Sequence, residues 1–221
     1  MAGGWGCIRS GQRPPAAVTV APSSESPAAG ARPPAIDALN FAALSHDSLN
    51  LDALVDRTIS KPGRYLGNEL GVQPRDWQRD WAAAGVRWAL TYPEIYEVGS
   101  SNTGHIILYS ILNTVPGQLC DRSYLPGPDL AERLRAGGTP LFGVESRRPL
   151  PAFDILGFSL SYELGATNIL SMLELGRIPI RAAERGDLPL ADPASPPLIF
   201  AGGPTATSNP EPFAAFCVPD Q

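Results

Sequence analysis

Asp154-Ile155-Leu156-Gly157-Phe158-Ser159-Leu160-Ser161 is the stretch that decides the fold. Its apolar residues run almost without interruption and stop at two serines. A run this short suits a strand, and an unbroken apolar strand suits a parallel sheet covered on both faces. A helix is predicted immediately downstream over Ala166–Leu175, closed by Gly176.

Working outward, the same alternation recurs. Val86–Tyr92 reads as a strand, followed by a loop and a helix from about Thr103 to Asn113. Ile106, Ile107, Leu108, Ile111 and Leu112 make that helix apolar nearly all round, so it is expected to be largely buried. Cys120–Leu125 reads as a strand and Asp129–Ala136 as a helix ended by Gly137-Gly138. Ile178–Arg181 is a short extended piece and Leu198–Ala201 a further strand ending at Gly202-Gly203-Pro204. Asn209-Pro210 has the form of a helix start, with a capping residue before proline. Alternating strands and helices predict a flavodoxin-like, doubly wound parallel α/β sheet over residues 86–221.

Upstream, residues 37–85 read as a helical N-terminal extension. Leu51, Leu54 and Val55 fit one face of a short helix. Trp77 and Trp81, four apart, fit one face of another, packed on the main domain. Residues 1–36 are rich in Ala, Pro, Ser and Gly, with Arg9, Arg13, Glu25 and Arg32 as their only charges. Such a segment buries too little apolar surface to offset its chain entropy and is expected to be a disordered tail. After Phe216 the chain reads Cys217-Val218-Pro219-Asp220-Gln221, too short and too proline-bearing for another strand. The domain is therefore expected to be incomplete at that end, with Leu198–Ala201 as an unpaired, association-prone sheet edge.

Composition excludes several functions. The 17 basic and 22 acidic residues give a net charge of −5, and Lys61 is the only lysine. No basic cluster with interleaved aromatics marks a nucleic-acid face. No apolar run reaches the length of a membrane span, and Met1–Ile8 lacks the apolar core of a secretory signal. The expectation is a cytoplasmic protein with neither a membrane nor a nucleic-acid partner. Cys7, Cys120 and Cys217 are scattered, as are His46 and His105, so no disulfide framework and no protein-only metal site is expected.

In a doubly wound sheet ligands bind beyond the carboxyl ends of the strands, where strand order reverses. Three loops fall there: Tyr92–Asn102, Ser159–Gly165 and Gly202–Thr207. They are rich in glycine and hydroxyl side chains, which admit a small molecule close to the backbone and bond it without charge. Glu94, Glu97 and Glu163 have no His or Cys beside them in these loops, so no catalytic residue is assigned. No Walker loop and no G-x-G-x-x-G is present.

Four ordered blocks carry a resemblance: Arg64-Tyr65-Leu66-Gly67-Asn68-Glu69, Tyr92-Pro93-Glu94-Ile95-Tyr96-Glu97-Val98-Gly99, Phe158-Ser159-Leu160-Ser161-Tyr162-Glu163-Leu164 and Ala201-Gly202-Gly203-Pro204. From about Lys61 to Phe216 the chain resembles a radical SAM protein family whose members carry a cobalamin-binding-like domain ahead of the radical SAM barrel. The resemblance implies a cofactor- or substrate-positioning domain, or one that has lost its ligand and serves as a docking module. It implies that the [4Fe–4S] cluster and S-adenosylmethionine belong to the parent's barrel, since the C-x3-C-x2-C triad is absent here. Cobalamin domains carry D-x-H-x-x-G, Ser-x-Leu and Gly-Gly. The matching cofactor-site positions are Glu94, Tyr96, Gly99, Ser159, Ser161, Gly202 and Gly203, with tyrosine in place of the cobalt-binding histidine and Ser161 in place of leucine.

Overall fold

The computed structural model describes residues 47–69, 72, 75–186 and 195–217. The tail expected to be disordered, residues 1–36, lies outside them, as does the end of the chain beyond Cys217.

Four parallel strands form one sheet in the order β2-β1-β3-β4: β1 Val86–Tyr92, β2 Gln118–Tyr124, β3 Ile155–Ser159 and β4 Leu198–Gly202. Trp88 pairs with Cys120 on one side and with Ile155 on the other, and Ile155 in turn pairs with Leu198. This register puts Trp88, Leu90, Cys120, Gly157 and Phe200 on one face, and Ala89, Leu119, Leu156, Phe158 and Ile199 on the other. The chain leaves β1 for one neighbour, β2, and later returns to the opposite neighbour, β3. The order reverses between β1 and β3, as in flavodoxin-like sheets.

Helices flank both faces. Among them are α1 Trp77–Ala83, the single turn α2 Tyr96–Gly99, and α3 Thr103–Thr114. They continue with α4 Pro128–Gly137, α5 Gly165–Leu175, the short α6 Pro204–Ser208, and α7 Glu211–Cys217. Leu130 and Leu134 of α4, Ile169, Met172 and Leu173 of α5, and Phe213 and Phe216 of α7 share one core with Leu156, Phe158 and Ile199. On the opposite face α3 packs Tyr109 and Leu112 against Leu90, Cys120 and Trp88.

Helix α3 corrects an expectation. Of its residues only His105 and Tyr109 are buried, whereas Ile107 and Ile111 are 51% and 52% exposed. The helix covers β1 and β2, and no described element covers its outer side or the β3–β4 half of that sheet face. Apolar character all round a helix states what could be buried; it does not supply the element that buries it.

The segment before the sheet is less helical than its spacing suggests. Leu51–Val55 closes a single turn, with Val55 N donating to Leu51 O at 2.7 Å, and no helix develops. Asn50 and Asp56 accept from the backbone N–H groups of Asp52 and Thr58, a local alternative that competes with helix. Trp81 does pack as expected: its ring meets Phe153 edge-on at 5.0 Å, and the Arg148 guanidinium lies 4.4 Å above it. Leu51, Ile59, Tyr65 and Trp81 join the core shared by α4, α5 and α7. Ile178–Arg181 forms no strand, and α6 arises where the sequence reads as loop. No helix among the described residues is long and apolar enough to cross a membrane.

Candidate functional site

The reversal between β1 and β3 opens a crevice at the carboxyl ends of these strands, and side chains of the two following loops bridge it. Asn102 caps α3 by accepting from His105 N at 3.0 Å and donates from Nδ2 to the Tyr92 hydroxyl at 3.3 Å. The Tyr92 hydroxyl lies 3.0 Å from Ser161 Oγ. Above them the Tyr162 hydroxyl donates to Glu94, and Asn168 Nδ2 donates to Pro93 O at 2.8 Å. The third loop joins through its backbone: Leu160 N donates to Gly202 O at 2.7 Å. Gly203 has φ +111°, and a Cβ there would lie 2.4 Å from Leu160 O, so only glycine lets these chains approach so closely.

Below this polar rim, between α3 and the sheet, lies a cavity of about 490 Å³. Trp88, Leu90, Leu108, Ile111, Leu112 and Phe200 form its apolar walls, and the backbone is bare at Gly202. Asn102, His105, Ser159 and Ser161 supply polar atoms at the rim end, and no charged residue lines it. His105 is 1% exposed, with Nδ1 3.3 Å from Ser159 Oγ and its ring between Tyr92 and Tyr124, at 5.4 and 5.7 Å. Burial pushes its pKa down to about 3, so the imidazole is neutral at neutral pH.

The seven positions expected to hold a cofactor therefore separate. Ser159, Ser161, Gly202 and Gly203 line the cavity. Glu94 sits on the rim beside Tyr162 and Asn168. Tyr96 and Gly99, both on α2, turn toward β2 instead. The Tyr96 ring meets Tyr124 edge-on at 5.3 Å, and a Cβ on Gly99 would lie 2.5 Å from the Tyr124 ring. Burial and the nearby Glu69 carboxylate push the Tyr96 phenol above its ordinary pKa. Sequence reading places His105 inside a helix and assigns it no part in the site. The signal lay in Asn102-x-x-His105, a cap that fixes the first turn of α3 against the neighbouring strand.

A second polar cluster closes the β2 side. Arg122 donates from Nε to Glu145 Oε1 at 3.0 Å, and its Nη2 lies 2.5 Å from Glu69 Oε1, a charge contact without hydrogen-bond alignment. The Tyr109 ring lies 4.7 Å from the guanidinium and its hydroxyl donates to Glu145 Oε2 at 2.9 Å. Asp121, fully buried, accepts from Arg122 N, Glu145 N, Ser146 N and Ser146 Oγ at 2.6, 3.1, 2.8 and 2.5 Å. Burial, aided by the Asp121 charge, pushes the Glu145 carboxyl up to about 7 against the pull of Arg122 and Tyr109. This cluster pins the Val144–Ser146 turn and the Glu69 segment to the edge of the sheet.

The chemistry on offer is binding and orientation. Among the described residues no group of three or more His, Cys, Asp or Glu could hold a metal ion. Cys120 packs under α3, Cys217 belongs to the core on the other face, and burial pushes the Cys217 thiol up to about 12, so these two do not fit an iron–sulfur cluster. The residues also do not fit a corrinoid ligated through the protein. Tyr96 stands at the histidine position with its ring packed on Tyr124, and His105 lies on α3 rather than in that loop.

No curated protein and no solved structure matches the chain significantly. The family model described as the N-terminal region of radical SAM proteins matches residues 104–218, just over half of the chain. The match begins at Gly104, in the first turn of α3, and includes the Phe158–Leu164 and Ala201–Pro204 blocks. The Arg64–Glu69 and Tyr92–Gly99 blocks precede it. With nearly all of α3, with β2, β3 and β4, and with the Ser159–Gly165 and Gly202–Thr207 loops inside the match, the chain belongs to the family of radical SAM protein N-terminal regions.

Proposed function

We propose that this chain is the part of a radical SAM protein that positions a small cofactor or substrate for the catalytic region. The [4Fe–4S] cluster and S-adenosylmethionine supply the radical chemistry of such proteins and would be held outside this chain. The observation that carries the reading is the uncharged cavity at the switch point, opening beside the exposed apolar side of α3. Pockets of roughly 300–1,000 Å³ at such switch points are the usual seats of small ligands. Ser159, Ser161 and Asn102 would orient the ligand, the apolar walls would exclude water, and the catalytic region would dock over Ile107 and Ile111. Large exposed apolar surfaces of this kind mark partners.

The exposed isoleucines also favour a second reading, a docking module without a ligand. The two differ in what filling the cavity does. The chain would be mixed with a reconstituted radical SAM region from a family member, and hydrogen exchange followed. Protection of residues 104–112 and 200–204 is expected; protection elsewhere alone, or none, overturns both readings. Product formation that is lost in Gly202→Leu while docking persists supports positioning. Product formation that survives it leaves the docking module.

A further inference from the structure

We infer that the switch-point cavity takes an uncharged, flat organic molecule with one neutral hydrogen-bonding end, held without metal coordination; this rests on the positioning reading and names its ligand class. Three observations carry it.

The first is charge. Neither a carboxylate nor a cation lines the cavity, and the chain bears no Asp, Glu, Lys or Arg between Glu97 and Asp121. Its one titratable ring, His105, is neutral at physiological pH. A phosphate or carboxylate placed here would lose its hydration with no compensating partner.

The second is shape. Strand backbone at Gly202 forms part of the cavity lining, Gly157 lies beneath the Phe200 ring, and Leu108 and Ile111 of α3 line it as well. A Cβ on Gly202 would meet nothing within 4 Å, so the space in front of this strand is open. Trp88 and Phe200 meet edge-to-face at 5.8 Å beside it, giving an aromatic wall. An apolar slot with bare backbone at Gly202 and an aromatic wall admits a flat ring more readily than a bulky branched group.

The third is polarity confined to one end. Ser159, Ser161 and Asn102 gather at the carboxyl ends of the strands, while Trp88 sits back along β1. At the polar end one ring nitrogen of a lining residue, His105 Nε2, is buried without a hydrogen-bond partner. Orphaned polar atoms of this kind cost free energy until something bonds them. A hydroxyl or amide at one end of an otherwise apolar ligand matches this arrangement.

Isothermal titration of the full chain with 2-naphthol, its anionic isostere 2-naphthoate and cyanocobalamin tests the inference. Saturable 2-naphthol binding, at least tenfold tighter than 2-naphthoate, is expected. Gly202→Leu should weaken it at least tenfold with an unchanged far-UV spectrum, and Leu108→Trp fills the slot from the helix side should Gly202→Leu fail to fold. Equal binding of the anion, or binding indifferent to both variants, overturns the ligand class. One-to-one cyanocobalamin binding lost in Gly202→Leu overturns the ligand class while leaving the positioning reading standing. Binding of none of the three overturns both.

Discussion

Strand β4 divides the molecule between its two sheet faces: Ile199 is 1% exposed, while its neighbours Leu198 and Phe200 are 39% and 37% exposed. The inner face meets α4, α5 and α7 and is packed to completion. Among the described residues the outer face meets α3 alone, over β1 and β2, and is open over β3 and β4. Equal hydrophobicity on alternate residues therefore serves two purposes, a core on one side and a cavity wall on the other. The difference teaches that exposure in a parallel strand is set by the connections, since each crossover helix covers only the face to which its handedness sends it.

Truncating an aromatic on each face should give the largest contrast. Phe158→Ala removes a side chain only 1% exposed and is expected to cost about 3–5 kcal/mol in urea unfolding. Phe200→Ala should cost less, about 1–2 kcal/mol, because that residue is already more than a third exposed. Comparable losses would mean that the outer face is as closely packed as the inner one.

Asp121→Ala probes the polar hub at the sheet edge. Four donors would lose their acceptor inside the protein, and a loss of about 3–5 kcal/mol is expected from the same unfolding measurement. Ser159→Ala, at the cavity, should stay within about 1 kcal/mol, since only the 3.3 Å contact to His105 is lost.

The hub and the cavity also titrate in opposite senses. Glu145, raised from 4.5 to about 7, favours the folded state at low pH and loses that contribution as pH rises through about 7. His105, lowered from 6.5 to about 3, contributes stability above pH 6.5 that is lost as pH falls toward 3. Between pH 4.5 and 6.5 the two oppose each other and the wild-type melting temperature should vary little on their account. Glu145→Gln removes one arm, so its melting temperature should fall more steeply than the wild type's on acidification from pH 6.5. An unchanged slope in calorimetry would remove Glu145 from the balance.

The smallest effect on stability belongs to the outer side of α3. Ile107→Glu with Ile111→Glu should change unfolding by about 0.5 kcal/mol per site or less, both residues being half exposed. Light scattering should nevertheless show the wild-type chain self-associating and the double variant not. Association that survives the double variant would locate the contact elsewhere, with the β4 edge as the next place to look.

How much of this was legible in the sequence differs from element to element. Strand Val86–Tyr92 and helix Gly165–Leu175 follow from local pattern, because period and composition alone fix them. Ser159, Ser161, Gly202 and Gly203 were legible as residues of the cavity edge because a polar or glycine position directly after an apolar strand must lie at the carboxyl edge of the sheet. Tyr96 and Gly99 follow a strand in the same way, yet they serve the β2 side. Their direction depends on the turn of α2 and on Tyr124, a residue 28 positions beyond Tyr96.

What the sequence by itself determined is the alternation of strands and helices, hence the parallel sheet and the carboxyl edge at which its loops gather. Periodicity is local, and a few residues suffice to establish it. Tertiary structure alone decided that α3 is buried on one side only, that His105 closes on Ser159, and that a neutral imidazole and an ionic hub stand on either side of Tyr124. Those outcomes depend on which elements arrive to cover a surface, and contacts between residues far apart in the chain leave no period in the sequence.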